Sequence, residues 1–470
     1  MVFALGDTDT FSRSDRKAPP MSELLDDVLA TVRERVTPNP DERERLEHLA
    51  QSLVDRTHTI VSDLPVDAEV IRVGSSARDT WLRGDRDIDI FIRFDPSISR
   101  SDLEHYGLTV GKEAFPDGWM EYAEHPYVRA EIDGYDIDLV PCFAVESASD
   151  IRSAVDRTPF HAQYIESKLT DELATEVRVL KRFCESIGVY GSNLKTEGFS
   201  GYLAELLILE HGGFPDVVSA ASTWQPPVTF DPESHGSATF DDPLVMIDPT
   251  DPTRNVAAVV TPETVARFQH YCRQFLETPA LRYFDTPSRE ALQSDQLSAY
   301  IDDRETTPVA IRVPIEPLVD DQLYPQLRTS MQGITATLER YGFEVIRSGA
   351  FAVDHALFYL EVTTPVLPAV ERHQGPPVHV QSHAEAFFEQ WDGTDAYGPF
   401  IEDDRYVVER YRTVRTIKAL FQNGHLDEMK LGRDIRSALE TEFDLLIGDT
   451  VVELLPEFGK ALGSYYDPRP

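Results

Sequence analysis

The chain has 470 residues, too many for one ordinary core, and two to four domains are expected. Hydrophobic residues make up 41% of it and aromatics 10%, which excludes wholesale disorder. No apolar run approaches the ~18 residues that a membrane helix needs. Acidic residues number 82 against 44 basic ones, a formal charge of −38, and only eight of the 44 are lysine. Such a balance ordinarily argues against a nucleic-acid partner. An acidic, lysine-poor surface also suits molar intracellular salt, where the Debye length falls to ~3 Å and self-repulsion is screened, and the partner class therefore stays open. The three cysteines, Cys142, Cys184 and Cys272, form no CxxC pair, so neither a zinc site nor a disulfide framework is expected.

Residues 1–20 contain no sustained apolar segment, so no signal peptide is predicted. They read as a disordered extension of a cytoplasmic protein, with Met21 a candidate start. Residues 22–57 read as helical, interrupted at Pro38-Asn39-Pro40. Short strands follow in "AEVIRVG", "DIDIFIRF" and "YVRAEIDGYDIDLVPCF", the last folded as a hairpin at Asp133-Gly134. The stretch "VIRVGSSARDTWLRG" runs from a strand through a tight Gly-Ser turn into a helix. From about 151 the pattern becomes helical, in "TDELATEVRVLKRFCESIG" and "GFSGYLAELLILEHGG". Residues 223–255, rich in Pro, Asp and Gly, read as loops, and "TPETVARFQHYCRQFLETP" as another helix. "TPVAIRVPI" as a strand, a helix from Leu323 to Tyr341 and strands within "EVIRSGAFAVDHALFYLEVTTPVLPAV" open the C-terminal half.

Chemistry concentrates in "GSSARDTWLRGDRDIDIF", residues 74–91. Side chains alternate along a strand, so Ile88, Ile90, Ile92 and Phe94 share a core face while Asp87 and Asp89 share the other. Neighbouring carboxylates repel, and oxygen ligands of this kind are neutralised by a divalent cation, magnesium or manganese. The second D-x-D strand repeats the logic with Asp136 and Asp138, and its alternation alone does not choose between them. If the two strands are neighbours, three carboxylates can converge on a metal pair. Upstream, the backbone of the Gly-Ser turn, the Ser75 hydroxyl and Arg78 can hold phosphates. Residues 151–200 carry seven basic and seven acidic side chains, a neutral stretch in an acidic protein and a place for an anion.

With these segments in hand, the chain resembles the polymerase β-like nucleotidyltransferase superfamily. More closely it is similar to the archaeal-type (class I) CCA-adding enzymes, the tRNA nucleotidyltransferases. "AVDRTPFH" and "YGSNLKTEGFSGYL" carry the narrower likeness, and "YAEHPYV", "DPTRNVAA", "DDQLYPQL" and "HQGPPV" extend it along the chain. The resemblance implies an α+β multidomain fold: a nucleotidyltransferase head with a mixed sheet and helices at 21–150, a helical neck at 151–285, and an α/β body and tail at 286–470. It implies that Asp87, Asp89 and Asp138 bind two magnesium ions, with manganese as a substitute. Ser75, Arg78, His161, Lys181 and Tyr190 match nucleotide contacts, Arg254 with Asp138 matches base selection, and His125 lies near the primer end. The implied substrates are tRNA, CTP and ATP, and the implied assembly is a homodimer without a membrane partner. Rival readings are another nucleotidyltransferase (a poly(A) polymerase, an oligoadenylate synthetase or a small-molecule enzyme), a catalytically idle RNA-binding module, and a plain acidic scaffold.

Overall fold

The computed structural model describes residues 21–470 except 123, 237 and 423, so the expected extension over 1–20 lies outside the described residues. The chain divides into two compact units, Met1–Pro287 and Ser288–Pro470.

The first unit opens with α1 (Met21–Val36) and α2 (Pro40–Ser62). The break falls where Pro38-Asn39-Pro40 predicts it, because Asn39 caps the second helix. Its side chain accepts from the Glu42 N–H (2.9 Å) while Glu42 accepts from the Asn39 N–H (2.8 Å), a reciprocal box contributing about 1 kcal/mol. On α2, Leu46, Ala50, Leu53 and Val61 lie at helical spacing and cover one face of a five-stranded sheet.

That sheet contains β1 (Ala68–Val73), β2 (Asp87–Phe94), β3 (Trp119–Tyr122), β4 (Pro126–Ile132) and β5 (Tyr135–Phe143), in the order β1-β2-β5-β4-β3. The β2–β5 pair is parallel and the others are antiparallel, so the sheet is mixed as expected. A single helical turn, α3 (Gly74–Ala77), follows β1, and α4 (Arg100–Ala114) packs beside α2. Contact between α4 and the sheet is close enough that a Cβ on Gly111 would stand 2.4 Å from Val128. Ile88, Ile90, Ile92 and Phe94 are buried on this helix-covered face. The opposite face holds a smaller apolar cluster, Phe91, Val73, Val140, Cys142 and Ala162, beside the aspartates.

The helix predicted beyond the Gly-Ser turn is only one turn long. Asp79 adopts φ +53°, the left-handed region in which a helix cannot continue, and the Thr80 N–H returns to the Ser75 carbonyl at 3.0 Å.

Helices α5 (Thr158–Lys168), α6 (Asp171–Ser186), α7 (Gly201–His211), α8 (Phe214–Ala221) and α9 (Pro262–Glu277) follow. Phe183, Phe214, Phe268 and Phe275 pack edge-on among them. Residues 223–255 are not all loop, a correction to the sequence reading. They hold β6 (Val228–Phe230), β7 (Leu244–Asp248) and β8 (Asp251–Asn255), a small sheet in the order β6-β7-β8. The run "LVMID" is buried throughout, and burial outweighs the turn-rich composition around it.

The second unit comprises α10 (Ser294–Arg304), β9 (Thr307–Pro314), α11 (Asp320–Tyr341), β10 (Val345–Ala352), β11 (His355–Val362), β12 (Val370–Pro377), α12 (Gln381–Trp391), β13 (Tyr397–Glu402), β14 (Arg405–Tyr411), α13 (Ile417–Gln422), α14 (Arg433–Thr441), β15 (Asp444–Ile447) and α15 (Leu455–Tyr466). One antiparallel sheet, β10-β11-β9-β15, has both faces covered. Alternate residues enter two cores: Val309, Ile311 and Phe358 meet α11, while Ala310, Leu357 and Tyr359 meet α15. A second sheet, β12-β14-β13, carries α12, where Phe387 stacks on His373 and Tyr406.

Candidate active site

The parallel β2–β5 register sets Asp87 opposite Asp136 and Asp89 opposite Asp138. All four point away from the helix-covered face, so the two D-x-D strands are sheet neighbours, the condition on which convergence depended. Asp89 also lies opposite Val73 on β1, immediately before the Gly-Ser turn. Gly74 takes φ +77°, and a Cβ there would stand 2.0 Å from Asp89 Oδ2. Only glycine lets the backbone of this turn lie directly on the carboxylate.

The electrostatics describe an acidic patch that Arg129 and Arg78 offset only in part. Burial, then the charges of Asp138 and Asp87, pushes the Asp89 carboxyl up to about 6. Burial and the neighbouring Asp136 raise Asp87, and burial raises Asp138 although Arg129 opposes it. Arg129, opposite Asp138 on β4, donates to Asp136 at 3.0 Å. Its Nε lies 3.7 Å from Asp138 Oδ1, too far for a hydrogen bond, and that buried oxygen has no donor. The donor set therefore fits a hard divalent cation: oxygen atoms only, mutually repelling, one of them buried and unsatisfied. Among the described residues no three acidic, histidine or cysteine groups are gathered closely enough to hold a metal ion, so the fit is one of donor chemistry and not of distance.

Beside the carboxylates, α6 clamps the loop that leaves the turn. Arg178 donates to the Trp81 carbonyl (3.2 Å) and pairs with the Asp79 side chain (2.7 Å). Lys181, 3% exposed, donates to the Thr80 carbonyl at 2.9 Å and lies 3.3 Å from its hydroxyl. Burial pulls the Lys181 pKa down while Glu205 opposes the shift. The Arg78 fork, expected to face phosphates, turns inward instead. Nε and Nη2 bind Glu205 at 3.2 and 3.0 Å, because a buried carboxylate on α7 offers a bidentate partner. Tyr190 Oη and Lys181 Nζ both flank Gly201, 3.2 and 3.6 Å from where its Cβ would be. Ser75 is half-buried in the turn itself.

A second cluster joins His161 and Arg254. Both bind Asp248, through Nε2 at 2.8 Å and Nη1 at 2.9 Å, and His161 stacks on Tyr202 with ring centroids 4.0 Å apart. His125 stands apart from these groups. It is 2% exposed, edge-on to Phe143, with Nδ1 3.3 Å from Glu104. The structure thus places this residue inside the fold rather than at an open surface.

Sequence reasoning passed over Arg129, Thr80, Glu205, Tyr202 and Asp248. Glu205 did leave a signal, as an acid in the otherwise apolar run "YLAELLIL". Asp248 left none, because it lies in a segment read as loop and its partners His161 and Arg254 stand 87 and 6 residues away.

Three family models match the chain: "Nucleotidyltransferase domain" over residues 54–161, "tRNA nucleotidyltransferase, second domain" over 175–285, and "CCA-adding enzyme, C-terminal domain" over 304–448. A CCA-adding enzyme of Haloarcula marismortui is 49% identical, covering 96% of this chain and 100% of the relative. One from Halorubrum lacusprofundi is 50% identical over 95% of this chain and 99% of the relative. The Methanosarcina barkeri CCA-adding enzyme is 37% identical over 90% and 94%. The likeness spans both compact units and includes the D-x-D strands, so this chain belongs to the family of CCA-adding enzymes, tRNA nucleotidyltransferases of the archaeal type.

Proposed function

We propose that the chain adds C, C and A to the 3′ end of tRNA from CTP and ATP without a nucleic-acid template, releasing pyrophosphate, and that Asp87, Asp89 and Asp138 hold two magnesium ions for this step. The observation that carries the assignment is the parallel register setting Asp89 against Asp138, with Asp87 on the same face and the Gly74 turn pressed onto Asp89. Sequence identity of about half over nearly the whole chain supports the substrate classes.

The terminal ribose hydroxyl of the tRNA attacks the α-phosphate of the nucleotide, a new P–O bond forms, and pyrophosphate leaves with the electrons of the broken one. Asp87, Asp89 and Asp138 would hold magnesium or manganese, which would lower the pKa of the attacking hydroxyl and offset charge on the leaving group. Asp138 and Asp89 supply oxygens from adjacent strands, and Asp87 supplies them from the same face. The turn carrying Ser75, together with Arg78, Lys181 and Tyr190, complements the triphosphate. His161 and Arg254, both anchored on Asp248, take the sugar and base side of the nucleotide. Arg254 is a permanently charged donor able to meet acceptors of cytosine and adenine, and an unpaired donor against the wrong base supports strong discrimination. His125, buried, acts on the primer end only through the residues around it.

The second unit is read as the tRNA-holding body and tail, working by shape and ribose-phosphate contacts. No helix among the described residues is long and apolar enough to cross a membrane. We take the protein to be cytoplasmic and homodimeric; sedimentation in molar KCl checks the assembly.

The decisive assay is incorporation of labelled CTP and ATP into tRNA lacking its 3′ end, with magnesium, in molar KCl. Addition should stop after three nucleotides. Asp89→Asn and Asp138→Asn should each lower turnover by about a thousandfold or more. Normal turnover in either variant removes that aspartate from the metal site.

A further inference from the structure

We infer that Glu205 is a positioning residue of the nucleotide site: its buried carboxylate sets Arg78 and, through Thr80, Lys181 in place for the triphosphate of the incoming nucleotide. The inference rests on reading Arg78 and Lys181 as triphosphate contacts.

Glu205 is fully buried on α7, between Ala204 and Leu206, with Leu203, Leu207 and Ile208 also buried. An ionised carboxylate persists in such surroundings only when its acceptor positions are filled. Here three donors fill them: Arg78 Nε at 3.2 Å, Arg78 Nη2 at 3.0 Å and the Thr80 hydroxyl at 2.6 Å. Thr80 then accepts from Lys181. Two cations are therefore linked to one carboxylate. Asp85, whose carboxylate accepts from the Leu82 N–H at 2.9 Å, also acts on Lys181, as does Glu185.

The consequence for Arg78 is geometric. With the Nε hydrogen and one Nη2 hydrogen committed, the two Nη1 hydrogens and the second Nη2 hydrogen remain for a ligand, and Glu205 decides where that edge points. The Arg78 charge already acts on Asp89. A guanidinium released from Glu205 would turn toward that carboxylate and compete with the metal for it. Packing alone does not account for a charge here, since an apolar side chain of similar volume serves a buried helix as well or better. Helix α7 also presents Gly201 to Lys181 and Tyr190 one turn earlier, and Tyr202 to His161, so it is the rigid element on which both clusters are built.

The test uses the full chain in molar KCl. Affinities for CTP and for inorganic triphosphate are measured by calorimetry, and kcat and KM by incorporation into tRNA, for Glu205→Gln, Glu205→Asp and Arg78→Ala, with folding checked by near-UV circular dichroism. Folded Glu205→Gln should bind CTP and triphosphate about tenfold more weakly and raise the nucleotide KM by a similar factor, leaving the tRNA KM within about twofold. Glu205→Asp, with the same charge on a shorter stem, should recover part of the loss. Should Glu205→Gln not fold, Glu205→Asp is read in its place, and a loss of about threefold or more in triphosphate affinity supports the inference. Unchanged triphosphate affinity in the folded variant, with Arg78→Ala weakening it about tenfold, overturns the role of Glu205 and leaves the nucleotide site standing. Unchanged affinity in Arg78→Ala refutes the reading of Arg78 as a triphosphate contact and the inference with it.

Discussion

Asp248 is a single buried carboxylate that holds two candidate nucleotide contacts. Its oxygens accept from His161, Arg254, the Thr250 N–H and the Thr250 hydroxyl, at 2.8–2.9 Å. Burial works against its charge, but the hydrogen bonds and charge of His161, with the Thr250 bonds, outweigh burial and hold the carboxyl well below the usual range. A carboxyl with a depressed folded pKa contributes stability that is fully present above its unfolded value of about 4 and lost as pH falls through the folded value. Asp248→Asn should therefore cost about 2 kcal/mol at neutral pH, because it removes the buried charge on which the half-buried His161 and Arg254 donors close. The unfolding midpoints of wild type and variant should lie well apart at about pH 6 and draw together toward about pH 3. Calorimetry in molar KCl checks this. A gap independent of pH would mean that Asp248 is not held ionised by these partners.

At the scale of elements, the site depends on three backbones lying side by side: β1, β2 and β5. The turn after β1 is where this arrangement is tightest. Gly74→Ala would force a side chain into the left-handed region and drive its Cβ against Asp89 Oδ2. The expected cost is about 1–3 kcal/mol of stability. Turnover should fall by about a hundredfold if Asp89 holds metal as proposed, since misplacing such a group by an ångström costs that much. Incorporation kinetics and denaturant unfolding measure both, and unchanged turnover would detach the turn from catalysis. Helix α7 shows the same dependence: Gly201, Tyr202 and Glu205 lie within about one helical turn, and each faces a different part of the site.

At the scale of the whole molecule, the formal charge of −38 governs the conditions under which this chemistry runs. Self-repulsion of the folded chain is screened in molar salt, so the unfolding midpoint should rise by roughly 10 °C from decimolar to molar KCl. A midpoint independent of salt would show that the acidic surface is not a stability term. Binding of tRNA under these conditions cannot lean on counterion release, which puts the weight on surface fit.

Much of the D-x-D strand pair was legible in the chain itself. Alternation in "DIDIFIRF" and "DIDLVPCF" assigned faces, because a strand has only two and a core must take one of them. The helix break at Pro38-Asn39-Pro40 and the Gly-Ser turn at Gly74 were readable for the same reason: each rests on local backbone chemistry. The strands within 223–255 were not, since their burial comes from neighbours distant in sequence, and the helix expected after the Gly-Ser turn gave way to Asp79, which Arg43 and Arg178 hold in place. The inward turn of Arg78 and the pairing of His161 with Asp248 likewise join residues 127 and 87 positions apart. Local pattern determined which residues could do chemistry; only the tertiary fold decided which charges were buried together, because burial and pairing are properties of the packed chain.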